Sequence, residues 1–152
     1  MKVYRLAKAK YVHDLSGTGA RIAGGRWNEK GTAVVYTAEN RSLAAVEFLV
    51  HVPIAIKPKD LSMATLEIPD SVPQARVAVE DLPQNWDSYP PPPELAKIGT
   101  DWISANSELL LFVPSAVVLG EYNVLVDPSH PDMKHVKILD TEGYEFDQRL
   151  LR

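Results

Sequence analysis

The sequence predicts one α+β domain built on a mixed or antiparallel sheet. Its 152 residues, 45% hydrophobic and 24% charged, match an ordinary globular chain, long enough for one sizeable core and too short for two good ones. The short β-rich segments and two helical patterns do not alternate regularly, which argues against a doubly wound nucleotide fold.

Strands are expected at residues 3–6, 33–37, 63–68, 109–113, 122–126 and 136–139, each a β-branched or apolar run bounded by turn-forming residues. A first helix is expected over about 41–51, capped by Asn40 or Ser42, with Leu43, Val46 and Val50 on one stripe and Pro53 preventing much extension. A second is expected over 93–105, where Leu95, Ile98 and Trp102 share a face although Gly99 costs ~1 kcal/mol against alanine. Between them, Pro83 and Pro90 to Pro93 accompany Trp86 and Tyr89. So proline-rich a run reads as a rigid connector across the surface, a candidate pocket wall.

Charge and composition exclude several function classes. Sixteen basic against twenty acidic residues give a net charge of −4, which disfavours autonomous binding to a phosphate backbone. The absence of cysteine excludes disulfides, thiol catalysis and cysteine-ligated metals. The most apolar stretch, 109–119, is broken by Pro114 and Ser115 and falls far short of the ~20 residues of a spanning helix. Charged residues interleave from Lys2 to Lys10 where a signal peptide would be uncharged, so a cytoplasmic location is expected.

The densest chemical signal is GTGARIAGGRWNEKG at 17–31. It lacks the context of a dinucleotide fingerprint and the Gly-Lys-Ser/Thr ending of a Walker loop. Two readings stay open: a turn-rich hairpin around a buried Trp27, and an anion-binding loop presenting Arg26. Glu47 lies in the apolar run AAVEFLV, facing either water or a cleft where its charge would count. Tyr36 shares a strand face with Val34, as a core aromatic or a stacking platform. Ser115 has no nucleophile elbow around it and reads as a strand-end hydroxyl contacting a ligand. Asp127, His130 and Asp132 in DPSHPD read as a rigid turn, and no metal site is expected.

Taken together, VYRLAK (3–8), LSGTGARIAGGRWNEKG (15–31), VVYTAENRSLAAVEFLVH (34–51), VPSAVV (113–118), YNVLVDPSHPD (122–132) and FDQRL (146–150) closely resemble the RES-domain toxin family, in the family's order and across nearly the whole chain. The resemblance implies one RES domain over 1–152 with a fold similar to the ADP-ribosyltransferase toxins. It also implies activity on NAD as substrate with no separate cofactor, and a toxin–antitoxin pair with an Xre-type helix-turn-helix antitoxin, through which any nucleic-acid contact would be indirect. A homodimer is left open. Carried over by position, Glu47, Arg26 and Tyr36 would be catalytic, and Arg5, Ser115 and Asn123 would bind substrate. Ala23 and Asp127 depart from the family pattern, where a larger residue and an asparagine are common, and bear on specificity.

These residue types suit scission of the nicotinamide–ribose bond. The leaving base departs neutral from a cationic centre, so it needs no general acid. A carboxylate stabilises the oxocarbenium-like ribose, and paired guanidinium donors match phosphate oxygens. Water or phosphate as acceptor gives a glycohydrolase or phosphorylase. A protein acceptor gives an ADP-ribosyltransferase, and a non-catalytic antitoxin-binding domain is the alternative of another class. Inhibition is expected from an antitoxin segment, acidic or carboxylate-bearing, covering the cleft near Arg5, Arg26 and Glu47.

Overall fold

The computed structural model describes residues 1–53 and 55–152. Seven strands, β1 (Lys2–Lys8), β2 (Val35–Ala38), β3 (Leu61–Glu67), β4 (Gln74–Arg76), β5 (Leu110–Pro114), β6 (Tyr122–Val126) and β7 (Lys137–Tyr144), form one sheet in the order β4-β5-β6-β2-β1-β3-β7. Every pairing is antiparallel except that of β4 with β5. The expected α+β class with a mixed sheet therefore holds.

Both faces of the sheet centre are covered. Leu110, Phe112, Val124 and Val126 pack with Val3, Val35 and Leu66 on one side. Their strand neighbours Leu111, Val113 and Leu125 point the other way, onto Trp27, Trp86, Leu95 and Trp102. Side chains alternate along a strand, so a strand covered twice must be apolar throughout, which explains the unbroken LLFVP run of β5.

Helix α1 (Thr18–Ala23) is six residues long and buries nothing. It occupies a segment expected as a hairpin, and only the loop that follows, closed by a Gly25–Asn28 bridge, retains that character. Strand β4 was not expected from sequence: three residues at a sheet edge carry no period.

Helix α2 (Arg41–Leu49) begins at Asn40, whose side chain accepts from the Leu43 N–H at 2.8 Å, satisfying one free helix donor. Its inward face is Leu43, Ala44 and Ala45, while Val50 is 54% exposed. Of the expected Leu43–Val46–Val50 stripe only Leu43 is buried: it packs with Ala44 over Ala38 and Met63, while Ala45 meets Leu61 and Phe146. Val50 instead lines a cleft.

Helix α3 (Pro93–Ala105) matches its expected bounds, with Pro93 at its first position, where a missing N–H costs nothing. Gly99 has a packing reason: a Cβ there would stand 1.6 Å from the Trp27 carbonyl oxygen. The helix therefore lies directly on the backbone of the 24–31 loop, and Thr100 Oγ1 accepts from the Glu29 N–H at 3.1 Å. Gly99→Ala should lower unfolding free energy by about 1–3 kcal/mol in chemical denaturation, the usual cost of overpacking, rather than give the gain of a better helix former.

Candidate active site

A cleft of about 1130 Å³ opens between α1, α2, the 24–31 loop and the proline-rich segment, larger than the ~300–1,000 Å³ usual for small-ligand pockets. Arg5, Arg26, Tyr36, Glu47 and Asn123 all line it, although they come from β1, the loop, β2, α2 and β6. The sheet order makes this possible: β2 lies between β1 and β6, so Arg5, Tyr36 and Asn123 rise from three adjacent strands.

Glu47 is held at one oxygen. Its Oε1 accepts from Ser115 Oγ at 2.6 Å and from Asn123 Nδ2 at 2.7 Å, while Oε2 takes no hydrogen bond among the described residues. Val113 pairs with Asn123 across β5 and β6, which sets Asn123 and the residue after β5 on either side of the carboxylate. Ser115 itself is fully buried and does not line the cleft. Its oxygen accepts from the Val117 and Val118 N–H groups at 3.1 and 2.9 Å, leaving its single proton for Glu47. A substrate contact was expected of Ser115; the hydroxyl instead faces the carboxylate, because the turn after β5 folds back through Ser115 N–H to Glu121 O.

Tyr36 forms part of the floor. Its hydroxyl donates to Asn28 Oδ1 at 2.6 Å and accepts from the Trp27 N–H at 3.2 Å. Burial pushes the phenol well above its ordinary value, only partly opposed by the Trp27 N–H and Arg26, so at neutral pH it is a neutral phenol with its proton engaged. The hydroxyl is thus engaged within the loop beneath the cleft.

Asn28, 1% exposed, was missed in the sequence. Besides holding Tyr36, its Nδ2 donates to the Ala20, Glu29 and Thr32 carbonyls at 2.9, 3.3 and 3.0 Å. A buried amide must find such partners; its place in the glycine-rich loop was legible in the sequence, but its burial was not. Gly25 is required beside it, since a Cβ there would lie 2.8 Å from the Tyr36 hydroxyl and 2.9 Å from Asn28 Oδ1.

Arg26 ties the loop to the proline-rich wall, donating through Nη1 to the Trp86 and Ser88 carbonyls at 2.9 and 3.0 Å. Burial lowers its pKa, and the nearby charges of Glu47 and Asp87 oppose this. Arg5 is lowered by the same cause, opposed by Asp14, and Nη1 reaches the Tyr11 and Val12 carbonyls at 3.3 Å each. Both stay charged, since a guanidinium does not deprotonate in a protein.

The DPSHPD turn lies apart from the cleft. Asp127 is buried, with Oδ1 accepting from the Ser129 N–H and hydroxyl at 2.9 and 2.7 Å. His130 Nδ1 accepts from the Asp132 N–H, so these residues cap a turn. Of the two departures from the family pattern, Ala23 lines the cleft and Asp127 does not.

The profile of the RES domain matches residues 2–147. The chain belongs to the RES domain family of toxins. A relative from Sphingobium sp. (strain YBL2), named Prs ADP-ribosylating toxin, is 39% identical over 96% of this chain and 92% of its own. Proteins named Toxin Res from Yersinia enterocolitica (36%, covering 99% of each chain) and Pseudomonas putida (37%, covering 90% and 92%) are also similar. The crystal structure of the M. tuberculosis MbcT–MbcA toxin–antitoxin complex contains a chain that superposes with a TM-score of 0.69 at 17% identity, over 95% of this chain and 84% of that one. The fold is therefore shared with that chain. No described helix of this RES protein is long and apolar enough to cross a membrane.

Ser115→Ala should cost about 1–3 kcal/mol of stability by denaturant titration, because two turn N–H groups and one carboxylate oxygen lose their shared partner. Ser115→Thr, which keeps the hydroxyl, should recover part of that loss.

Proposed function

We propose that this RES protein cleaves NAD at the nicotinamide–ribose bond and acts as the toxin of a pair whose antitoxin silences it. The observation that carries the reading is the Glu47 carboxylate, lining the cleft with Oε1 held by Ser115 and Asn123 and Oε2 unengaged.

In the reaction, the C1′–N bond breaks with its electron pair passing to the pyridinium nitrogen, so nicotinamide leaves neutral. The ribosyl cation is captured by an acceptor, which loses a proton. The fixed negative charge of Glu47 stabilises that cation, and its free oxygen is suited to accept from a ribose hydroxyl. A carboxylate already held by two donors does not reorganise as charge develops, which makes electrostatic stabilisation effective. Arg26 and Arg5 supply positive charge for the pyrophosphate, and the Tyr36 ring offers a flat surface to nicotinamide or ribose.

Water or phosphate is the acceptor in the leading form of this proposal, with an Xre-type antitoxin as partner and location in the cytoplasm. Transfer to a protein is a second reading, favoured by the name of the Sphingobium relative. Incubation with NAD labelled in its adenylate half separates the two. Label confined to small molecules supports hydrolysis or phosphorolysis, label in a protein band supports transfer, and intact NAD contradicts both. Glu47→Gln retains acceptance from Ser115 and Asn123 but removes the charge. It should fold normally and lose about 2–4 kcal/mol of transition-state stabilisation, read as kcat for nicotinamide release. Full activity in the folded variant would remove Glu47 from the chemistry.

A further inference from the structure

Tyr89 stands 84% exposed, yet it is one of the residues lining the cleft. Its ring is not packed into any of the hydrophobic clusters, so the core does not explain its place. The backbone beneath it is fixed from several directions. Trp86 is buried among Trp27, Leu95 and Trp102, Arg26 donates to the Trp86 and Ser88 carbonyls, and Ser88 Oγ reaches the Pro90 carbonyl at 3.2 Å. Pro90 to Pro92 follow, and Pro93 opens α3. An aromatic ring is thus presented to solvent at the cleft mouth on a segment with little freedom, so a ligand would meet it with little ordering cost.

Arg26 links the two parts of the cleft. Its guanidinium donates to the carbonyls of Trp86 and Ser88, the residue before Tyr89, and it lines the same cleft as Glu47. A dinucleotide offers parts to match: a ribose at the scissile bond, a pyrophosphate, and a second nucleoside ending in a flat base. We infer that Tyr89 is the stacking platform for the adenine base of the dinucleotide, placing the far nucleoside against the 86–91 wall while the scissile ribose sits at Glu47. The inference rests on the NAD-cleaving reading for its orientation. Stacking is expected because every base offers a π-face and an exposed ring on a fixed backbone needs no rearrangement to receive it.

Two measurements on the full-length protein test it. In steady-state NAD turnover, Tyr89→Ala should raise KM about tenfold, equivalent to about 1.4 kcal/mol, with kcat within about twofold. Tyr89→Trp should restore KM, and product inhibition by nicotinamide should be unchanged in both. In calorimetric titration with ADP-ribose, which carries the adenosine without the scissile bond, Tyr89→Ala should weaken binding by a similar factor. Unchanged KM and unchanged ADP-ribose affinity in Tyr89→Ala would overturn the subsite. So would a fall in kcat alone, which would place Tyr89 at the reacting end. A wild-type protein that binds ADP-ribose in a Tyr89-dependent manner but leaves NAD intact would contradict the cleavage reading and leave the subsite standing; ADP-ribose binding that ignores Tyr89 would do the reverse.

Discussion

The Glu47 carboxylate is the constraint around which the cleft is built. An acidic side chain beside an apolar helix face would ordinarily turn to water, but here one oxygen is fixed by Ser115 and Asn123. Those donors lie on β6 and directly after β5, two strands whose pairing the double-faced core enforces. A one-residue slip of β6 against β5 would carry Asn123 to the opposite face of the sheet and would also pull Val124 and Val126 out of their packing with Val3, Val35 and Leu66. The energy that holds the cleft's geometry is therefore mostly the hydrophobic energy of the sheet, and the two polar contacts select one rotamer of one side chain.

A second layer of fixation lies in the 24–31 loop. Asn28 satisfies four partners from inside the loop, Gly99 lets α3 lie against its backbone, and Arg26 fastens it to the proline-rich wall. Arg26 is then both a source of positive charge for the cleft and a tie between two of its walls. This dual use accounts for an arginine at this place, since a lysine offers a point charge without a planar fork.

Much of this was legible in the sequence. The bounds of α3 and the strands β5 and β6 follow from long apolar runs with clear stops, and the wall function of the proline segment follows from its inability to join a helix or central strand. Five of the six residues suggested by the family resemblance do line one cleft. Helix α1 and β4 escaped because neither buries a periodic face. The stripe of α2 was right at Leu43 but wrong beyond it, because Ala44 and Ala45 rather than Val46 and Val50 complete the inward face. Ser115 could not be oriented from sequence, since the direction of its hydroxyl depends on a turn closed by Glu121, and Asn28 needed the three carbonyls around it to be known.

The central claim is that residue 47 stands at the scissile ribose of a bound dinucleotide. A crystal structure of Glu47→Gln in complex with NAD tests this most directly, because the substitution keeps the Ser115 and Asn123 contacts while slowing turnover. The account predicts the nicotinamide ribose within hydrogen-bond reach of the residue 47 side chain and the pyrophosphate beside Arg26. A dinucleotide bound elsewhere, or one whose nicotinamide ribose lies out of reach of residue 47, would contradict it.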